Sequence, residues 1–562
     1  MGRAVTPHPG LPRARALRIV ATVFVLAATV LAFGTVRAAH DPGLEGYAAG
    51  KQPAFQTSDR CLSCHNGLTT ASGKDVSIGF DWRTSLMANA GRDPYWQAGV
   101  RRETIDHPTA KAAIQDECMA CHMPIARTHA RLQGKEPDLL GHTPLKGNDP
   151  ATREHADGVS CAVCHQISPA NFGQPSSFNG GYVITPPQAD GTYTEFGPYA
   201  PDPRLQQVMR SSTGGFVPQQ SGHVRNAQLC EGCHTLITQA LGPNGEVVGS
   251  LPEQVPYQEW ERSSYKESQS CQSCHMPLIE EPAPIARVLS APRDGVRQHQ
   301  FVAGNFFLQR VFARYRDELQ MPPTSAELTA AAERTERYLA SSAAKLDVGA
   351  ATVSNGRVET DISVDNLGGH KLPTAYPSRR VWLHVTLRDG AGRVVFESGA
   401  LHADGSIEGN DNDRDPLRYE PHYREVRAAD EVQIYEAILG DMKGAVTTGL
   451  LNATGYLKDN RLLPHGFAKA GAPANVAVHG DALEDPSFTD RGDTVHYSMA
   501  VPAGATGPFR VEAELRYQPV GFRWANNLKH YDAFEPKRFT TMYDGMQGGT
   551  AVTLASAASA TR

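Results

Sequence analysis

The hydrophobic pattern changes character near residue 345. Beyond it, apolar and polar residues alternate in short runs: Val358 to Val364, Val381 to Leu387, Val394 to Phe396, Val432 to Ala437, Val495 to Met499 and Val511 to Tyr517. A period of two is the mark of strands with one buried face. Asp389-Gly390-Ala391-Gly392 lies between two of these runs and predicts a hairpin turn, because glycine takes positive φ without steric cost. Short strands separated by polar turns predict a β-sandwich of immunoglobulin-like type over 345–546. The tail 547–562 is rich in small residues and is expected to be disordered.

Ahead of the boundary the period lengthens. Leu308, Val311, Phe312, Tyr315 and Leu319 follow helical spacing, and Pro322-Pro323 ends that run. Thr324 and Glu327 form a capping-box signature for a second helix with Leu328, Ala331, Ala332, Thr335 and Leu339 on one face. The segment 321–344 therefore reads as a helical linker. Upstream, 39–320 is loop-rich, with Gly, Pro and Asn between short helical patches, and Phe80 to Ala90 predicts a helix carrying Met87. The whole is an α+β multidomain chain, a loop-rich, mainly helical half followed by a β half.

The chemistry in the helical half is carried by cysteine. All ten cysteines of the chain fall into five C-x-x-C-H runs: Cys61/Cys64/His65, Cys118/Cys121/His122, Cys161/Cys164/His165, Cys230/Cys233/His234 and Cys271/Cys274/His275. On a helical turn the two thiols share a face and can each form a thioether to a haem vinyl group, while the adjacent His offers nitrogen to the iron. A single run could be a zinc half-site or a redox dithiol. Five runs with no cysteine left over could not, because neither a disulfide framework nor a zinc ribbon places His after every second Cys. The reading is five covalently attached haem c groups. Their uneven spacing excludes a tandem array of equal units.

Each run fixes one axial ligand, and the sixth position sets redox potential and chemistry. The helical half holds twelve histidines from His40 to His299, and five of them are proximal. Among the other seven, His155 and His223 precede haem motifs by a few residues, His129 follows one by a turn or two of helix, and His299 stands in Gln298-His299-Gln300 before the closing helix. These four are the favoured distal ligands. His40, His107 and His142 lie near Pro or Gly and are held in reserve. Met87 on a helix is by pattern alone more often core than ligand.

The repeated motifs, with Glu154-His155-Ala156-Asp157-Gly158-Val159-Ser160 ahead of Cys161 and Ser221-Gly222-His223 ahead of Cys230, resemble exported multihaem cytochromes c. They are similar to the tetrahaem electron carriers of nitrifying bacteria. In that group a Ser-x-His-Ala helix often supplies a distal His. Ser85-Leu86-Met87-Ala88 matches the frame with Met in place of His, which makes Met87 a ligand by resemblance and marks a departure. Asn366 to Thr374 resembles the Gly-His-x-x-Pro-Thr segment of β-domains attached to such cytochromes, which implies that His370 faces a haem at the domain interface. The resemblance implies relay of electrons between redox partners in a respiratory chain. The alternative is a multihaem oxidoreductase acting on a small nitrogen or sulfur compound at an iron with no sixth protein ligand. Pentahaem nitrite reductases carry C-x-x-C-K at the catalytic iron, and all five runs here end in His.

Charge adds little: 54 Lys and Arg against 60 Asp and Glu give a formal net charge of -6, with nothing that selects nucleic acid. The N-terminus adds more. Arg3, Arg13, Arg15 and Arg18 precede an apolar run from Ile19 to Val36, followed by Val36-Arg37-Ala38, so 1–38 reads as a signal peptide, with an uncleaved N-terminal anchor as the alternative. Either places the remainder in the periplasm or otherwise outside the cytoplasm, and the expected partners are other redox proteins or membrane quinone-linked oxidoreductases. Asn410 to Asp415 spaces oxygen atoms as a calcium loop does but lacks the closing Glu of an EF-hand, so a solvated loop is favoured. No nucleophile elbow or phosphate-binding glycine loop is visible.

Overall fold

A computed structural model describes residues 1–2 and 55–561. The targeting segment and His40 lie outside the described residues. Among those that are described, no helix is long and apolar enough to cross a membrane.

In the N-terminal half the helices are short. They include α1 (Ile78–Arg83), α2 (Pro94–Asp106), α3 (Lys111–His122), α4 (Pro124–Leu132), α5 (Pro150–Ala156) and α6 (Cys161–Gln166). The Asp93 carboxylate accepts from the backbone N–H of Tyr95 and Trp96 while Pro94 opens α2 with its φ already helical. The helix expected over Phe80 to Ala90 stops at Arg83. Local side chains compete for the backbone there: the Asn89 amide donates to the carbonyls of Arg83 and Ser85, and the Ser85 hydroxyl accepts from Ala88 N–H. Met87 consequently stands in a turn, its carbonyl accepting from Val159 N–H.

After a hairpin of β1 (Leu236–Leu241) and β2 (Val247–Gln254) come α7 (Pro256–Glu261), α8 (Cys271–His275), α9 (Phe306–Arg314) and α10 (Ser325–Ser342). The capping box at Thr324 and Glu327 is formed, and the predicted face of α10 is the buried one. That face is no linker, because α10 packs on α9 and on strands of the β half.

The β half holds two antiparallel-dominated sheets. One is built on β3 (Ala344–Val348), β4 (Arg357–Asn366) and a later strand, β9 (Asp493–Ala500). The other centres on β5 (Arg380–Arg388), flanked by β6 (Val394–Ser398), β7 (Ile434–Asp441) with β8 (Ala453–Asp459), and β10 (Arg510–Gln518). The Asp389 to Gly392 turn joins β5 to β6, with Gly392 at φ +78°. Alternate residues of β4, β5, β9 and β10, among them Ile362, Leu383, Tyr497 and Leu515, are fully buried in one shared cluster. This is how a pleated strand puts every second side chain into an inter-sheet core.

Two expectations about organisation fail. The tail is not disordered: Val552–Ala560 forms β11, antiparallel to β10, and Thr561 N–H donates to Phe509 carbonyl. Its ordering comes from backbone hydrogen bonds along an otherwise open strand edge, which small Ala and Ser side chains do not advertise. Nor are the two halves separate bodies, since the described residues 55–561 group as one unit. Tyr95 of α2 lies 4.8 Å, ring centre to ring centre, from Phe539 of α11 (Phe534–Gly545), and Arg101 pairs with both oxygens of Glu535. A single apolar cluster runs from Tyr95 and Ala98 through Phe306, Phe307 and Phe312 into the sandwich.

Candidate functional site

Each C-x-x-C-H run sits in or beside a helical turn. In the first and fourth, the His backbone N–H donates to the carbonyl of the leading cysteine, His65 to Cys61 and His234 to Cys230, both at 3.0 Å. The second closes α3, the third opens α6 and the fifth is α8. In these three, the local geometry puts both sulfurs of a run on one helix face with the imidazole beside them.

The expectation that both thiols of every run stand on a helix fails at Cys64 and at Cys233. The helical turn Asp59–Leu62 carries Cys61 but ends before Cys64, and Gln228–Glu231 ends before Cys233. The physical reason at Cys64 is competition for its backbone. In a continuing helix its carbonyl would accept from Leu68 N–H, four residues on. Instead it accepts from Arg287 N–H at 2.9 Å, while Leu68 N–H donates to the Ser77 hydroxyl. Cys64 N–H keeps a bond to Cys61 carbonyl at 3.1 Å, so a tight turn, not a helix, spaces the two thiols of this run.

Three of the five motif imidazoles are then oriented by chain segments outside their own run. Nδ1–H of His65 donates to the Ile285 carbonyl, that of His165 to Phe196 and that of His275 to Val302, each at 2.5 Å. A main-chain acceptor on Nδ1 fixes the tautomer that leaves Nε2 as the metal-binding nitrogen. Burial lowers the basicity of all five proximal rings, to about 4 at His122 and His234, which keeps them in the neutral form a metal requires. His122 differs from the rest in having Trp96 stacked face to face on it, 4.3 Å away and 3° from parallel.

Two proximal rings face a second imidazole. His165 and His299 have centroids 6.4 Å apart with planes 17° from parallel, and His275 and His370 are 6.3 Å apart at 13°. Two imidazoles on opposite sides of one metal, each with a metal–nitrogen bond of about 2.0 Å and a ring centre about 1 Å beyond the nitrogen, have centroids about 6 Å apart. The spacing therefore fits one iron between each pair. His299 and His370 also direct Nδ1 to a main-chain carbonyl, of Arg297 at 3.2 Å and of Lys371 at 3.1 Å. The amides of Gln298 and Gln300, on either side of His299, both donate to the Asp81 carboxylate.

The remaining predicted ligands are placed differently. His155 is buried, donates Nδ1–H to Ala151 carbonyl at 2.8 Å and stacks on His142 with centroids 4.0 Å apart. His129 is buried with Nδ1 3.1 Å from Glu154 and Nε2 accepting from Phe55 N–H at 3.4 Å. His223 has both nitrogens occupied, Nε2–H donating to Ile167 carbonyl and Nδ1 accepting from the Ser221 hydroxyl. Met87 is half-buried in its turn. His107, a reserve candidate, is buried with Nε2 lacking a hydrogen-bond partner.

Cysteines distant in sequence meet in space. Cys61 contacts Cys161, Cys121 contacts Cys233, and Cys230 contacts Cys271, while Cys164 lies beside Cys230 and Cys233. The five runs thus gather in one region, in which the first meets the third and the fourth meets the second and fifth, while Cys164 of the third is within electrostatic reach of the fourth. Three cysteines stand at its margin. Cys64 is half-buried in its turn, Cys118 lies on α3 with its thiol raised by burial, and Cys274 is exposed, its thiol donating to the Gln269 side-chain carbonyl at 3.0 Å. Buried carboxylates line the cluster: desolvation raises Asp157, beside Ser58 and Ser160, to about 7, and Glu253, bonded to Thr238, also to about 7.

Two polar clusters were not foreseen. One is a buried set of two cations and two carboxylates, in which Asp459 accepts from Lys371 and Arg461 while Arg461 also faces Glu259. The other gathers His422, Asp485 and Asp493, whose ligating atoms lie within 4.8 Å of one another. That set reads first as a cation site, but its hydrogen bonds argue otherwise. The oxygens of Gln433 and Asn460 accept from Tyr423 and Glu436 N–H, which turns both amide nitrogens onto His422 Nδ1. Nδ1 is therefore an acceptor, Nε2 carries the proton, and it donates to Asp485 at 3.1 Å. The 410–415 segment, expected as a solvated loop, is instead partly buried, with Asn410, Asn412 and Asp413 inside, because its carboxylates are spent on protein contacts, Asp413 on Arg380 and Asp411 on Arg418.

Fold and site together define a mixed α+β chain in which five C-x-x-C-H turns and paired imidazoles are packed into one cluster. No protein-family model matches the chain, and no curated protein matches it. Among solved structures it is similar to a penta-heme cytochrome c552 from Thermochromatium tepidum, at 17% identity and a TM-score of 0.49, over 91% of this chain and 100% of that one.

Proposed function

We propose that the chain is an exported multihaem c-type cytochrome that holds five haems and relays electrons between redox partners. The observation that carries this is the pairing of C-x-x-C-H histidines with second imidazoles at 6.3 and 6.4 Å. The ten cysteines hold the groups covalently, Cys61 and Cys64 from a turn and the others from or beside helices. His65, His122, His165, His234 and His275 supply the proximal nitrogens, and His299 and His370 close the third and fifth sites. Three sixth positions remain, and His155, His129 and Met87 are the candidates for them. His155 shares with His299 and His370 an Nδ1 anchored to a main-chain carbonyl, whereas His223, expected from sequence as a ligand, has both ring nitrogens spent on Ser221 and Ile167. Haem iron, when bound, supplies reversible one-electron oxidation at a potential set by its axial ligands and burial.

The rest is done by the protein. Connected cysteine contacts keep neighbouring sites adjacent, and main-chain carbonyls lock ring orientation. The immunoglobulin-like β half acts as a cap that also brings a ligand. Export through the N-terminal segment accords with thioether attachment outside the cytoplasm, and the partners are other redox proteins or membrane quinone-linked oxidoreductases.

Electron paramagnetic resonance of the oxidised holoprotein, with and without cyanide or nitrite, tests the reading. Five low-spin irons indifferent to added ligand are expected. A high-spin signal that cyanide or nitrite converts would replace the carrier by an oxidoreductase acting on a small nitrogen or sulfur compound.

A further inference from the structure

His370 belongs to the β half, on the loop between β4 and β5, and follows Gly368-Gly369, a stretch with little stiffness of its own. The helical half holds that loop in place. Glu259, fully buried on α7, accepts with one carboxylate oxygen from both Lys371 N–H at 3.1 Å and the Thr374 hydroxyl at 2.5 Å. Its other oxygen faces Arg461 at 3.1 Å. On the other side of His370, the Tyr265 hydroxyl donates to Leu367 carbonyl at 2.9 Å. A Cβ at Gly369 would lie 3.4 Å from the Trp260 ring and 3.5 Å from Tyr265, so the loop is pressed against the same segment.

A carboxylate present only to neutralise Arg461 would need one oxygen. Glu259 turns the second to the backbone one residue past His370 and to a side chain four residues past it. Both partners lie on the loop and neither is charged at the contact. We infer that Glu259 is a positioning residue: it fixes His370 opposite His275, so that the helical half controls the ligand contributed by the β half. This rests on the proposal that His370 is an axial ligand.

The test uses holoprotein variants and counts low-spin and high-spin irons by electron paramagnetic resonance, with cyanide as the probe. H370A should convert one low-spin iron to high spin. E259A should produce the same new signal in part, and E259Q, whose single acceptor oxygen can serve the loop or Arg461 but not both, should fall between E259A and the parent. T374V removes a single hydrogen bond to the carboxylate. It should raise cyanide affinity at that iron about tenfold, the ratio expected for one charge-assisted bond. If H370A loses a low-spin iron but E259A and T374V match the parent, Glu259 does not position the ligand. If E259A fails to accumulate, T374V decides alone. If H370A itself changes nothing, the ligand assignment is what fails.

Discussion

Asp459 offers a quantitative test of the network behind the His370 loop. Burial would push its carboxyl up, yet Arg461 and Lys371 hold it below the usual carboxylate range, so it is charged at neutral pH. Its side chain is 1% exposed, that of Lys371 0% and that of Arg461 5%, which leaves no solvent to take over if the carboxylate is removed. D459N leaves two buried cations with Glu259 as their one anionic partner, Lys371 keeping only neutral acceptors such as the Ala477 carbonyl at 3.1 Å. Removing one partner of a buried pair costs about 3–5 kcal/mol, most of it from the uncompensated charge. The double variant K371M/D459N restores a balance of one cation, Arg461, to one carboxylate, Glu259. It should recover more than half of that loss, although it lacks one more polar group. Urea midpoints of the holoprotein, followed by circular dichroism across the cycle of single and double variants, give the coupling energy directly. A double variant as unstable as the sum of its singles would refute the charge-balance account.

Truncation after Gly549 removes β11 and bares the edge of β10, and the buried Leu554 side chain alone contributes about 1.5–3 kcal/mol. The shortened protein should melt several degrees lower and be cut faster by proteases within the β half; a melting curve that overlays the parent would show the strand to be dispensable. His422 provides a pH signature. Burial lowers its basicity below the ordinary 6.5, so under acid the unfolded chain takes up a proton that the folded chain refuses. Its contribution is therefore complete above pH 6.5 and declines as pH falls below that value. H422Q should be less stable at pH 7.5 yet show a shallower loss of stability between about pH 6.5 and 5.5, and an unchanged slope would exclude His422 as the group responsible.

How much of this could be read from the chain depends on how local each feature is. The C-x-x-C-H runs are legible because cysteine, cysteine and histidine stand within one turn of chain, and the strands of the β half because inward and outward faces alternate along the sequence. That the turn is helical is less legible: at Cys64 a backbone N–H from Arg287, more than two hundred residues on, takes the carbonyl a helix would have used. The helix expected through Ala90 misleads for a local reason: propensity counts Ser85 and Asn89 as neutral, whereas their side chains capture the backbone. Strand β11 is missed because an edge is completed by backbone hydrogen bonding, to which Ala and Ser contribute no pattern. Second ligands are the opposite extreme. Nothing adjacent to His299 or His370 states which ring it faces, and only folding brings them opposite His165 and His275.

The change of texture near residue 345 is real, but it marks a change of secondary structure and not a boundary between bodies. Tyr95 packs on Phe539, Glu535 holds Arg101, and Glu259 reaches the loop of His370, so contacts from one texture complete structures of the other. An N-terminal half cut away from the β half would lose a wall of its apolar cluster together with the imidazole opposite His275. On the proposed function, ligation and folding are thereby coupled: the ring pair His275–His370 forms only when the β half is seated, and the loop of His370 is held by a carboxylate from the half that carries the cysteines.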